Sequence, residues 1–441
     1  MHAGRLVRIC LTVALVAGTC LALSPVAQAE EVTQREDIWI TQDSHFNPSN
    51  GVRRGSGTAR DPFVISGWDV STLYVKDTAA HVVVRDNVVD RLVLNWNGRG
   101  VKLVDNTIGN LRVNENVDRT GAATSGVIAN NTIGIVGQLR HFDGLFAHNT
   151  ITGDDLFDGT LFSGPAVAFD GFNGARFVHN TINGYVDITL HGHHHGSGYG
   201  KKSHYHSMPP KEHEQHAAHT SHDAPNVDHT KRYHQLWVAN NKITSPGQFA
   251  LRYNDRAHRA NDRTAASEKN EALNAKHVHH TRVHLNNNTL IGSGLRVDTF
   301  NAEDENHLDT ARGLVEIRGN TIKLGSQMAD TPWDQQRQGI TVERAVDVTM
   351  RIAGNTITSP SQSERSPLAS QFADDAGILL WEVGDADIFI TGNSVANTVY
   401  GVRAQDFSKS VHWTIRSLKT QGVAQPVYYD NSVANHPRRS D

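Results

Sequence analysis

Residues 101–108 read VKLVDNTI, and the same shape returns as VEIRGNTI at 315–322 and MRIAGNTI at 350–357. Apolar side chains take the first and third places, an asparagine the sixth, and a branched aliphatic the eighth. Looser copies place Asn87, Asn131, Asn149, Asn180, Asn241, Asn288 and Asn393 two residues before Val89, Ile133, Ile151, Ile182, Ile243, Leu290 and Val395. With Asn106, Asn320 and Asn355 the motif occurs ten times. Alternation before each asparagine is the pattern of a strand with one face inward. Recurrence of one such unit along the whole chain is the signature of a solenoid.

The flanks hold a common register. Val82 and Val84, Leu236 and Val238, Val283 and Leu285, and Ile388 and Ile390 stand five and three residues before their asparagines. Three coils begin with Gly126, Gly144 or Ala175 instead, yet keep Ile128, Phe146 and Phe177 in the second place. An asparagine at the end of such a strand suits a bend, because its backbone tolerates left-handed geometry and its amide both donates and accepts. Stacked coils bring equivalent amides to about 4.8 Å, the spacing of paired strands. The fold expected is therefore all-β: a right-handed parallel β-helix with an asparagine ladder and a long histidine-rich loop insertion.

Upstream of the first coil stands GSGTARDPFVISGWDV, residues 55–70. This string resembles the opening of NosD-like domains, the carbohydrate-binding and sugar-hydrolase β-helices. The asparagine-plus-aliphatic repeats are similar to theirs, over residues 55–190 and again over 236–400. The resemblance implies a β-helix and two kinds of role. Some members assist copper-site maturation beside an ABC-type transporter, and others handle polysaccharide. No catalytic motif of the family maps onto residues of this chain.

Arg5 and Arg8 precede the apolar run LTVALVAGTCLAL, which ends in Ala27-Gln28-Ala29. That is the pattern of a secretory signal peptide cleaved after Ala29, and it implies a secreted or extracytoplasmic protein with no membrane span after cleavage. Both cysteines, Cys10 and Cys20, fall inside this segment. The mature chain then lacks disulfides, thiolate metal sites and a cysteine nucleophile. Without Arg5 and Arg8 it carries 40 basic against 46 acidic residues, a charge of −6 that argues against a nucleic-acid partner.

The expected organisation is a signal peptide at 1–29, an N-terminal cap with the first strands at 30–80, and a first β-helical part at 81–190. An insertion at 191–234 separates it from a second part at 235–441. That second part carries a charged insertion at 254–276, with a surface helix expected through ASEKNEALNAK, and C-terminal strands near HWTIRSL and PVYYDNSV.

The insertion holds twelve of the chain's 26 histidines: His191, His193, His194, His195, His204, His206, His213, His216, His219, His222, His229 and His234. Its only residue among Leu, Ile, Val and Phe is Val227, so it lacks the apolar surface that would offset its ordering entropy. Neutral imidazole is the commonest protein ligand of zinc and copper. The expectation is a flexible arm binding zinc or copper as a captured ion, not a catalytic cofactor, with Glu212, Glu214, Asp223 and Asp228 as auxiliary oxygen ligands. A recipient metalloprotein or an ABC-type metal transporter is the implied partner. The segment has no HExxH, so a preorganised catalytic zinc is not expected. Protons compete for imidazole, so retention should weaken below about pH 6.5. A pH-responsive tether remains an alternative reading of the same residues.

Other histidines raise narrower expectations. His148 and His179 each precede a ladder asparagine on consecutive coils, a placement for stacking on the outside of the rod near the loop's base. His280 and His284 have outward parity. A second functional class is polysaccharide binding or cleavage, for which Asp154, Asp155, Asp158 and Asp170 offer paired carboxylates. Trp237 would be the sugar platform, with Arg252 and Tyr253 close in sequence. A structural surface protein is the third class.

Overall fold

The computed structural model of the chain describes residues 32–440, apart from 77, 79, 96–99, 115–125, 143, 154–165, 172–174, 192–233, 246–248, 255–280, 299–312, 326–337, 346–347, 362–374, 408–409, 431–432 and 434–436. The described chain winds into a right-handed parallel β-helix, as the repeat implied. Each coil contributes to three faces. The first face stacks the strands that precede the ladder asparagines, among them Val82–Arg85, Val101–Val104, Ala175–Val178, His234–Ala239, Thr281–Asn286 and Gly313–Arg318. The second face stacks short strands that follow the asparagines, such as Thr181–Asn183, Lys242–Thr244 and Thr356–Thr358. The third face stacks strands such as Val186–His191, Phe249–Asn254, Leu295–Asp298, Gln338–Glu343 and Ala376–Trp381.

In the N-terminal coils the second and third faces are one. Val88–Asn95, Thr107–Asn114 and Thr132–Phe142 run unbroken through both. From the Asn149 coil onward the strand after the asparagine is short, two to four residues as in Thr150–Ile151 and Thr321–Leu324, and in the Asn149 coil Gly153 (φ 81°) turns the chain. The rod also starts earlier than the repeats suggest: Ile38–Ile40 already pairs in parallel with Leu73–Val75. Val52–Arg54 lies antiparallel to Phe63–Ser66 and protects the end of the first face from further strand pairing.

The interior follows the parity read from sequence. Val82, Val84, Leu236, Val238, Val283, Leu285, Ile388 and Ile390 are all buried in one continuous core. The small residues at Gly126, Gly144 and Ala175 have a packing cause. A Cβ on Gly126 would stand 2.9 Å from the Phe142 ring, which fills that part of the core. Phe146 and Phe177 stack there at 4.9 Å, with Phe169 tilted against Phe177.

The ten asparagines form an unbroken ladder, none more than 4% exposed. From Asn87 to Asn355, each side-chain Nδ2 donates to the Oδ1 of the next asparagine at 2.9–3.1 Å. Each backbone N–H donates to the same oxygen at 2.9–3.2 Å. The second amide proton reaches a strand carbonyl one coil back, for example Val84 from Asn106 and Phe177 from Asn241. One side chain thus accepts twice and donates twice; aspartate has no donor, and serine is too short to span the gap. Register places Trp68 before the first rung and Leu418 after the last, and the Trp68 backbone N–H donates to Asn87 Oδ1 at 3.1 Å.

The bend itself is not made by the asparagine, contrary to the expectation from sequence. Left-handed geometry falls on the residue before it: Asp86, Asp105, Asn130, His148, His179, Asn240 and Asn287 at φ 55–59°, then Gly319, Gly354 and Gly392 at 62–63°. The ladder residue is occupied with inward hydrogen bonds. The turn is left to a neighbour whose type, Asp, Asn, His or Gly, tolerates positive φ.

Candidate functional site

The histidine-rich segment enters and leaves the rod at one corner. His191 closes the third-face strand Val186–His191, in register with Asn254 one coil on. His234 opens the first-face strand His234–Ala239, in register with Thr281. His191 and His234 therefore belong to the rod's strands, while His193, His194, His195, His204, His206, His213, His216, His219, His222 and His229 lie outside the described residues. So do the ASEKNEALNAK helix expected at 266–276, and His258, His277, His279, His280 and His307. Among the described residues no group of three or more His, Cys, Asp or Glu is placed to hold a metal ion.

The corner next to this segment carries an outward column on the first face. Arg176, Trp237, His284, Glu316 and Arg351 succeed one another on stacked coils. The Arg176 guanidinium lies 5.2 Å from the Trp237 ring centre, and Trp237 stacks on His284 at 5.5 Å and 13°. His284 Nδ1 is 2.9 Å from Glu316 Oε2. Arg318 and Arg351 donate to the other carboxylate oxygen at 2.5 and 3.3 Å. A carboxylate against one ring nitrogen is an arrangement that orients an imidazole.

Five residues sit in this column because each stands four places before its ladder asparagine. That spacing is visible in sequence, and it was the signal that places Arg176 and Glu316 beside Trp237 and His284. Arg252 and Tyr253, by contrast, belong to a third-face strand and so lie on a different face from Trp237.

His148 and His179 stack on the rod's outside, as their spacing suggested, with ring centres 5.0 Å apart and planes within 2°. They sit at the asparagine corner, however, at the opposite edge of the first face from the point where the histidine-rich segment leaves. They do not gather at its base.

The third face bears a second polar strip. Thr341 and Glu343 have outward parity yet are only 5% and 7% exposed. Arg296 Nη2 donates to Glu343 Oε2 at 2.5 Å, and Thr341 Oγ1 donates to Gln338 Oε1 at 2.6 Å. Further along the face Arg403 lies over Tyr400 and Tyr428, at 5.3 and 5.9 Å from their ring centres. Exposed Trp381 donates through Nε1 to Asp406 Oδ2 at 3.1 Å. Of the aspartates weighed as a catalytic pair, Asp154, Asp155 and Asp158 lie outside the described residues, and Asp170 stands in strand Val167–Gly171.

No protein-family model matches the chain, and neither a curated protein nor a solved structure matches it.

Proposed function

We propose that this protein is an extracytoplasmic β-helix that captures or hands on a divalent transition metal, zinc or copper, through the histidine-rich segment between His191 and His234. The observation that carries this reading is the continuity of the rod across that segment. Asn180 and Asn241 share the same ladder contacts as any neighbours, and Ala175–Val178 pairs with Leu236–Ala239 without a shift. Across the 42 residues at 192–233 the flanking strands and ladder asparagines keep the contacts they make elsewhere in the rod. Ten histidines stand between two strands whose register is unaltered, and metal ligation is the chemistry they share. The receiving partner is a metalloprotein or an ABC-type metal transporter.

Titration calorimetry with zinc and with copper(II) tests the proposal, using the mature chain and a variant in which residues 192–233 are replaced by a short glycine linker. Multiple sites in the first and their loss in the second are expected. Equal uptake by both sinks the reading.

A second reading rests on the first-face column. An indole held between Arg176 and His284, with Glu316 behind it, offers a half-buried aromatic and charged surface of the kind that takes a sugar ring. Loss of glycan binding on Trp237→Ala, with the ladder intact, would favour it over metal capture.

A further inference from the structure

We infer that His148 and His179 form a second, rigid metal site on the rod, taking one late first-row divalent ion independently of the histidine-rich segment. Three features of the pair point there. Both side chains are exposed, and their rings already lie parallel one coil apart. Both roots are fixed, since the His148 N–H donates to Val178 O at 3.2 Å and the His179 N–H to Ala239 O at 3.1 Å. Both residues hold a left-handed backbone, φ 56° and 58°, at positions that neighbouring coils give to Asn130 and Asn240.

Asn240 supplies a third donor. Its Nδ2 lies 3.4 Å from His179 Nε2, so this amide edges the imidazole on the next coil. Rotating the amide by half a turn presents Oδ1 in place of Nδ2. A zinc ion with bonds of about 2.0–2.1 Å needs two ring nitrogens roughly 3.3 Å apart. Rings with centres 5.0 Å apart reach that separation by tilting toward each other, which exposed side chains are free to do. Water completes the coordination shell. The backbone pins then act as preorganisation: the two ligands are held adjacent before the ion arrives.

Carbethoxylation by diethyl pyrocarbonate, read histidine by histidine in a digest of the full mature chain, tests the site with zinc chloride as the probe. A bound ion occupies the lone pair that the reagent attacks, so saturating zinc should slow modification of His148 and His179 together by roughly tenfold. His148→Asn is the informative variant, because asparagine holds the same corner on adjoining coils and the backbone is expected to keep its turn. In that variant zinc should no longer protect His179. Unchanged modification in the native chain, or equal protection of His179 in His148→Asn, overturns the site. The same digest reports the histidines of 192–233 separately, so the fate of the arm and the fate of this pair are distinct results.

Discussion

Asn241 Oδ1 accepts two hydrogen bonds from Asn180, one from its side-chain amide at 3.0 Å and one from its backbone N–H at 2.9 Å, across 61 residues of chain. No other separation in the ladder is as long, and the contact geometry is the same as where 18 residues intervene. The rung therefore fixes register regardless of what the coil carries elsewhere.

Asn241→Ala should cost about 2–5 kcal/mol. It strips a buried N–H of Asn180 and a buried carbonyl of Phe177 of their partners while opening a small cavity. Asn241→Asp should do at least as much harm, because a carboxylate keeps the acceptor, loses the donors and is desolvated. Urea unfolding monitored by far-ultraviolet circular dichroism checks both, and a midpoint unchanged by either substitution would show the ladder to be dispensable.

Replacing residues 192–233 with a short glycine linker should change unfolding free energy by no more than about 2 kcal/mol, since each doubling of loop length costs only about 0.6 kcal/mol. A loss of several kcal/mol would mean that the segment is part of the folded rod.

The corner residues make opposite predictions for two substitutions. His148→Gly at φ 56° relieves left-handed strain, and this gain is partly cancelled by the greater freedom of glycine in the unfolded chain. His148→Val places a β-branched residue where it is least tolerated and should cost about 1–3 kcal/mol. Thermal unfolding of the two variants ranks them; valine at or above glycine would contradict the backbone assignment.

Glu343→Gln and Glu316→Gln separate the two polar strips. Glu343 is 7% exposed and holds Arg296, so neutralising it should cost about 1–3 kcal/mol. The arginines around Glu316 are about half exposed, and its removal should cost less, about 1 kcal/mol or below. Raising the salt concentration should narrow the effect at Glu316 more than at Glu343.

Zinc retention should fall as pH drops below about 6.5, because each imidazole must be neutral to ligate. Protonation favours the free form, so the sign is loss of metal on acidification and recovery on return to neutral pH. Equilibrium dialysis at pH 5 and pH 7.5 measures it, and retention independent of pH would point away from histidine ligands.

The ladder and the inward parity were readable in sequence because every coil repeats them at the same offset from asparagine. The turn residue was not: Asp86, His148 and Gly319 share a conformation but no side-chain chemistry, and only the backbone reveals what they have in common. The column Arg176–Trp237–His284–Glu316 is readable at a fixed offset, but only across gaps of up to 61 residues, so proximity in the chain pointed instead to Arg252 and Tyr253. Burial of Thr341 and Glu343 was hidden for a different reason. Alternation in GITVE marks them as outward, and outward ordinarily means wet.

Between each first-face strand and its ladder asparagine stands a single residue, whether Asp105, His179, Asn240, Gly319 or Gly392. Segments as unlike as 192–233 and 255–280 depart from another edge altogether. The asparagine edge thus acts as the spine of a bound volume, holding every page at one height while the outer margins differ in width. An engineer could exchange one margin for another, a different chelating sequence or an epitope, and the remaining pages would keep their order.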